Sequence, residues 1–409
     1  MWGSVFKLKK TQNNYKKPNA IVYFIYRLIC KAIGKFAFNT KIIRNEIKGV
    51  KGSYIVLANH ESKIDFINLA IASKRRMHLV ISNSFYQTIS IKPLMDMIQV
   101  IPKQQFQTTP ANIKKMKRVI DNNVPLAVYP VGIMSENGLS TDPGTSTAKL
   151  LKLLNTDVYV CYTEGSYLTQ PKWSKVRRKG KITVDIFKLI SKEELATISN
   201  EDLFKLVRKN IDFDAYENQK KNMVSYKNGN NVVGLEYVLY QCPKCKTIKS
   251  IKLEGETKLK CTCCGYTVES DNYGLLNGEE VIFDTPSAWS MDIIKNLEAE
   301  LLNNPNYQYE DNVTISTINY KKHKYEEAGT GHVSINKDNI ILKGIINGEE
   351  ILHSFYTSTY PTLPFVPGEY LEIQDGQDIY RLKFSDPYNV TIFVNILKII
   401  NQSYNLMKK

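Results

Sequence analysis

The sequence predicts an α/β protein: a layered, mixed-sheet domain, then a cysteine-rich hairpin unit, then a small β-rich, barrel-like domain. Three observations predict it. Between residues 53 and about 190, short apolar runs alternate with stretches of helical periodicity, the pattern of sheet strands covered by helices. Five of the seven cysteines fall within the 23 residues from Cys242 to Cys264. Beyond residue 308, brief alternating runs are separated by Gly- and Asn-rich turns, and an amphipathic stretch near 387–404 closes the chain, as in a meander of antiparallel strands capped by a helix.

At 409 residues, with 43% hydrophobic and 23% charged side chains, the chain is long enough to bury the cores of two or three ordinary domains. The predicted boundaries are 1–52 for a basic arm and helix, 53–225 for the α/β domain, 226–285 for the cysteine unit, 286–307 for a linker helix and 308–409 for the last domain. The formal charge of +15 is concentrated at one end, since residues 1–52 hold twelve Lys and Arg against a single acid, Glu46. Such a patch seeks an acidic partner: anionic lipid, nucleic acid or an acidic carrier protein. No RNA-recognition motif or clustered basic and aromatic face accompanies it, so nucleic acid is not expected. No Gly-x-Gly-x-x-Gly or P-loop pattern occurs either, which weighs against nucleotide-dependent chemistry.

Residues 1–19 are polar and basic and read as a mobile arm. In residues 20–38 the cations Arg27, Lys31 and Lys35 recur every fourth position and line one face of a helix, leaving the remainder apolar and aromatic. Three cations break the roughly 20 apolar residues a membrane span needs, so a helix lying in the membrane interface is the expectation. A helix docked on the protein core and a single span with snorkelling cations are the competing readings. The N-terminus shows no apolar stretch ending in a small-residue cleavage site, and the cysteines are spaced as metal ligands, so a peripheral protein on the cytoplasmic face of the membrane is expected.

Strands are expected near 53–58, 77–82, 98–101, 125–130, 157–163 and 181–187. Ile113, Met116 and Ile120 mark one of the intervening helices, and charge-rich residues 191–225 read as helices that close the domain. Cys242-Pro-Lys-Cys245, fifteen residues and Cys261-Thr-Cys-Cys264 make two Cys-x2-Cys pairs flanking a hairpin. That is zinc-ribbon spacing, because each pair wraps one side of a tetrahedral ion, and four thiolates leave no open position for catalysis. Spacing alone leaves Cys263 as an alternative ligand to Cys261 or Cys264, and a redox pair as the competing use. A helix over 287–302 ends at Asn303-Asn-Pro-Asn306. Strands then follow at 313–318, 332–335, 340–342 and 380–384, about seven in all, in the order of a pleckstrin-homology-like barrel. His78, His323, His332 and His353 have no carboxylate at motif spacing and read as structural or surface residues.

The run Tyr54–Ala58 stops at Asn59-His60, and Asp65 follows five residues after the histidine. Ligands of open α/β sheets gather at the carboxyl ends of strands. His60 and Asp65 can meet there if the histidine occupies the turn before a helix starting near Ser62 and the aspartate sits one turn inside it. A neutral imidazole held by a carboxylate can take a proton from a hydroxyl near neutral pH.

Asn59-His60-x4-Asp65 resembles the first motif of the glycerolipid acyltransferases, the family of 1-acylglycerol-3-phosphate O-acyltransferase. Val100-Ile-Pro-Lys103 falls where the second block lies, and Tyr129-Pro-Val-Gly-Ile-Met-Ser135 where the third reads Phe-Pro-Glu-Gly-Thr-Arg-Ser. Asp157–Tyr167, continued by Pro171-Lys-Trp173, resembles the fourth. The resemblance implies O-acyl transfer from acyl-CoA or acyl carrier protein to the hydroxyl of a lysophospholipid-like acceptor at a membrane surface, in phospholipid biosynthesis. His60 would be the base and Asp65 its orienting partner, with Asn59, Lys103, Gly132 and Ser135 at the substrates. Val131, Met134 and Lys103 stand where the family has Glu, Arg and Arg, which implies a changed acceptor or a weaker grip on its phosphate, since Lys lacks the bidentate fork. A non-catalytic lipid-binding or scaffolding protein on a decayed acyltransferase fold is the alternative. Retention of both His60 and Asp65 argues against it.

Overall fold

The computed structural model describes residues 17–106, 109–304, 306–376 and 378–407; most of the segment expected to be a mobile basic arm, residues 1–16, lies outside this set. The first unit comprises α1 (Ala20–Phe36), β1 (Thr40–Asn45), β2 (Ile55–Ala58), α2 (Asp65–Ala72), β3 (His78–Ser82), α3 (Asn83–Thr88), α4 (Lys92–Met97), β4 (Ile101–Lys103), α5 (Pro110–Asp121), β5 (Leu126–Val128), α6 (Ser146–Leu154), β6 (Val158–Glu164), α7 (Ser166–Thr169) and β7 (Ile182–Ile190). Its sheet has the order β1-β7-β6-β2-β5-β3-β4. From β6 to β4 every pairing is parallel, β7 runs antiparallel to β6, and β1 pairs in parallel with β7. Five strands therefore deliver their carboxyl ends to one edge.

All four residues of β2 are buried, which is why its sequence is an unbroken apolar run instead of an alternating one. One face of the sheet is covered by α5, α6 and α9 (Asn200–Ile211), through Met116, Val119, Leu151, Leu203 and Val207. The other face is covered by α2, through Leu69 and Ala72. The closing helices also include α8 (Lys192–Thr197), started by a Ser191–Glu194 capping box, and α10 (Ala215–Asn222). The expected strands are observed, except that the one expected at 98–101 lies at Ile101–Lys103 because residues 98–100 form the turn that ends α4, and β1 is added at the sheet edge.

Helix α1 has one face on the protein core and one facing outward. Tyr23, Tyr26, Cys30 and Gly34 are buried, and the first three share a core cluster with Ile67 and Ala70 of α2. A Cβ on Gly34 would lie 2.4 Å from Ile71 Cδ1, so any larger residue there requires the Ile71 side chain to move. Arg27 donates to the carbonyls of Ala70 (3.0 Å) and Ile71 (3.3 Å) at the end of α2, where a cation suits the negative end of the helix dipole. Of the three cations in register, Arg27 therefore serves the protein, while Lys31 and Lys35 are exposed. The outer face presents Ile21, Phe24, Ile25, Leu28 and Ile29, each 49% exposed or more. No helix among the described residues is long and apolar enough to cross a membrane.

In the second half, β8 (Ile251–Glu254), β9 (Lys258–Cys261), β10 (Thr267–Ser270) and β11 (Leu276–Asn277) form a small antiparallel sheet. Helix α11 (Pro286–Asn303) follows, with Thr285 as its N-cap and proline at its first position. Then come β12 (Tyr309–Asn319), β13 (Lys324–Ile335), β14 (Asn339–Ile346), β15 (Glu349–Tyr356), β16 (Phe365–Val366), β17 (Tyr370–Asp375), β18 (Asp378–Phe384) and α12 (Tyr388–Met407). The β14–β15 turn is Asn347-Gly348, both at positive φ, the two-residue turn whose twist matches a hairpin.

The expected barrel is an open antiparallel sheet, ordered β15-β14-β13-β12-β18-β17-β16. It curls far enough for His353 on β15 to reach Asp375 on β17 at 2.8 Å, but β15 and β16 remain edges. Closure fails because β16 is only two residues long and is flanked by Pro364 and Pro367, which cannot donate to a ladder. Helix α12 fills the concave side, with Phe393, Val394 and Leu397 fully buried. One continuous core joins the cysteine unit, α11, this sheet and α12, and it also contains Trp173 from the first unit.

Candidate active site

The carboxyl ends of β2, β4, β5 and β6 bring together most of the residues singled out from sequence. Asn59, at the end of β2, is 1% exposed. Its Nδ2 donates to Thr163 O (2.7 Å) and its Oδ1 accepts from Thr163 N (2.8 Å). The side-chain amide thus mimics a strand partner and pins the following loop to β6, a use different from substrate contact.

His60 Nδ1 lies 3.0 Å from Asp65 Oδ2. The same oxygen accepts the Ser62 backbone N–H at 2.8 Å, and Asp65 is 2% exposed. Helix α2 begins at Asp65, three residues later than expected, because residues 62–64 form a turn closed by Asp65 N donating to Ser62 O (3.2 Å). The carboxylate therefore stands at the very start of the helix, where the dipole favours negative charge. With Nδ1–H donated to Asp65, the free nitrogen is Nε2, and the imidazole remains 20% exposed. The ring stacks on Tyr129 with centroids 4.3 Å apart. Burial pushes the Tyr129 phenol well above its ordinary pKa, and Asp65 adds to the effect, so Tyr129 stays neutral.

The segment after β5 closes over this pair. Gly132 has φ +73° and turns the chain, with its N–H on Tyr129 O (3.2 Å) and its carbonyl held by Gln105 Nε2 (2.8 Å). Ser135 is 1% exposed; its N–H donates to His60 O (3.3 Å), and its hydroxyl donates to Leu139 O (2.7 Å) while accepting from Gly138 N (2.9 Å). Ser135 thereby braces the histidine loop, again a use other than substrate contact. Lys103 ends β4 on the same sheet edge, and burial pulls its pKa down.

Glu61 carries no sequence signal yet is completely buried. Its Oε2 accepts the Tyr167 N–H at 2.9 Å, and its Oε1 has no hydrogen-bond partner among the described residues. Burial first, then the charge of Asp65, raises its pKa well above the ordinary glutamate value, which favours the protonated form. Its neighbour in sequence is the catalytic candidate, but its surroundings come from residues 106 positions away.

The remaining histidines lie elsewhere: His78 is buried with Nδ1 2.6 Å from Gln99 O, while His332 and His353 face Glu310 and Asp375 across the C-terminal sheet. The sulfurs of Cys242, Cys245, Cys261 and Cys264 all lie within 4.8 Å of one another. Cys242–Cys264 and Cys245–Cys261 are each 3.6 Å apart, close to the edge of about 3.8 Å that a tetrahedral zinc with about 2.3 Å Zn–S bonds requires. The four thiols therefore fit a metal ion, and the exposed Cys263 lies outside the set.

A hydroxyl placed at Nε2 would find a base oriented by a buried carboxylate, the arrangement used to activate oxygen nucleophiles. Residues 38–164, which contain this whole arrangement, match the family model described as Acyltransferase. The α/β unit thus has the acyltransferase fold. Among solved structures, a 1-acyl-sn-glycerophosphate (LPA) acyltransferase from Thermotoga maritima aligns at 15% identity with a TM-score of 0.39, over 46% of this chain and 78% of that one. No curated protein sequence matches the chain.

Proposed function

We propose that the protein is an O-acyltransferase that moves a fatty acyl group from acyl-CoA or acyl carrier protein to the hydroxyl of a lysophospholipid-like acceptor at a membrane surface, in phospholipid biosynthesis. The observation that carries the reading is the His60–Asp65 pair at 3.0 Å, with its outer ring nitrogen open at the carboxyl edge of the sheet. His60 Nε2 takes the proton as the acceptor oxygen attacks the thioester carbonyl, and Asp65 holds the ring and stabilises the imidazolium. When the intermediate collapses, the thiolate of the donor leaves and the imidazolium returns the proton. Lys103, which stands where the family has Arg, would meet an acceptor phosphate as a point charge.

The outer face of α1, with Lys31, Lys35 and the basic arm, supports peripheral attachment to anionic lipid on the cytoplasmic face. The four cysteines support a structural zinc ribbon. The strand order and the capping α12 support a pleckstrin-homology-like reading of the last unit. Incubating purified protein with acyl-CoA or an acyl carrier thioester and a panel of lysophospholipids tests the function. Acylation of one acceptor, lost in His60→Ala, is expected; transfer at the wild-type rate by that variant would refute the assignment.

A further inference from the structure

The segment that braces His60 is itself held from the far end of the chain. Ser135 donates to His60 O, and the next side chain, Glu136, is paired with the ammonium of Lys398 on α12. The two side chains are 10% and 17% exposed. Lys398 Nζ also lies 5.5 Å from the centre of the Phe365 ring on β16, whose other cation, Lys172, is 3.8 Å away. Asn137 Nδ2 then donates to Ser290 Oγ on α11 at 3.1 Å. Three consecutive residues thus bond in turn to the histidine loop, to α12 and to α11.

A second path leads the same way. Tyr167 Oη donates to Glu136 O (3.3 Å) and accepts from Trp173 Nε1 (3.0 Å), and Trp173 belongs to the core of the C-terminal half. Residues 129–145 contain no helix and no strand beyond a single bridge from Leu139 to Asp214; backbone bonds to Phe213 and Ala215 hold the 138–140 end, and the ties to α11 and α12 hold the part nearest His60. A buried ion pair adds little net stability because desolvation offsets its attraction, but it demands a particular placement of both partners.

We propose that Glu136 and Lys398 are positioning residues for acyl transfer, through which the C-terminal half sets the placement of the loop that carries His60. The proposal rests on the acyltransferase reading above. Misplacing a catalytic group by about 1 Å can reduce the rate about 100-fold without touching the chemistry.

The test compares full-length Lys398→Met and Lys398→Arg proteins with wild type, using steady-state acyl transfer and hydrogen exchange. Lys398→Met should lower kcat by about 10- to 100-fold with KM changed less than about threefold, and Lys398→Arg should recover most of the rate. Exchange in residues 129–139 should quicken by about tenfold or more in Lys398→Met, while β2 and β6 keep their protection. Unchanged kcat with unchanged exchange would overturn the proposal. Loosening of the whole molecule would assign the pair a purely structural role and overturn it too. If exchange quickens locally but wild type acylates no acceptor, the coupling stands and the enzymatic reading fails.

Discussion

His60 has one ring nitrogen engaged and one open, and this asymmetry sets the effect of substitutions around it. His60→Ala should lower acyl transfer by about 10² to 10⁴ while circular dichroism stays unchanged. Asp65→Asn should give a comparable loss, because an amide in place of the carboxylate no longer fixes the tautomer with Nε2 free; wild-type rates in Asp65→Asn would show that the pair is not used. Glu61→Gln should preserve activity, since a neutral carboxyl and an amide both accept from Tyr167 N–H. Its stability effect has a definite sign. The folded-state pKa of Glu61 lies above the unfolded one, so the native state holds the extra proton, and stability falls as pH rises from the ordinary Glu range through the raised value. Thermal unfolding at pH 5 and pH 8 should therefore show Glu61→Gln more stable than wild type at the higher pH and nearly equal at the lower. The pair His60–Asp65 was legible because both residues sit in one short segment. The bracing roles of Asn59 and Ser135 and the burial of Glu61 were not, because Thr163, Leu139 and Tyr167 approach only after the chain has folded.

At the scale of elements, α1 separates into two faces with separate consequences. Deleting residues 17–37 would strip Tyr23 and Tyr26 from α2 and remove the Arg27 cap, so that variant should aggregate instead of merely leaving membranes. Replacing Phe24, Ile25 and Leu28 together by Ser alters only side chains that are 49–58% exposed; it should keep the fold and release the protein from anionic vesicles in a flotation assay. Salt alone should weaken attachment without ending it, because shortening the Debye length from about 10 Å at 0.1 M to about 3 Å at 1 M screens only the charge component. A triple variant that still floats with the vesicles would defeat the interfacial reading. Periodicity revealed the helix but not which cations face water, since Arg27 and Lys31 differ only in what lies opposite them. Strand β1 was missed for a related reason: half of its residues are exposed and Lys41 and Arg44 interrupt its alternation, so its pairing with β7 alone defines it. The open C-terminal sheet was likewise beyond the pattern, which counts strands but does not fix whether the outermost two meet.

For the whole molecule, the shared core makes the cysteine site a determinant of the entire second half. Metal analysis should find one zinc per chain, and Cys242→Ser or Cys245→Ser should lose it. Because Cys242, Cys261, Trp289 and Phe393 lie in one core cluster, the loss should unfold the β12–β18 sheet together with the ribbon, while the α/β unit retains protection in hydrogen exchange. Exchange confined to residues 240–265 would show instead that the ribbon melts alone. Metal spacing was visible in sequence; that its walls are also those of the last sheet was not, because residues from Val232 to Ile399 contribute to one interior. The Glu136–Lys398 link spans 262 residues, and this has a consequence for synthesis. Strands and helices of the α/β unit are complete long before α12 leaves the ribosome, so at elongation rates of about 5–20 residues per second the nascent chain spends about 10 s or more with its histidine loop unbraced. The full rate of acyl transfer would then appear only once α12 has docked, and a chain released before Lys398 would be folded at its amino end and slower by about the 10- to 100-fold expected of Lys398→Met.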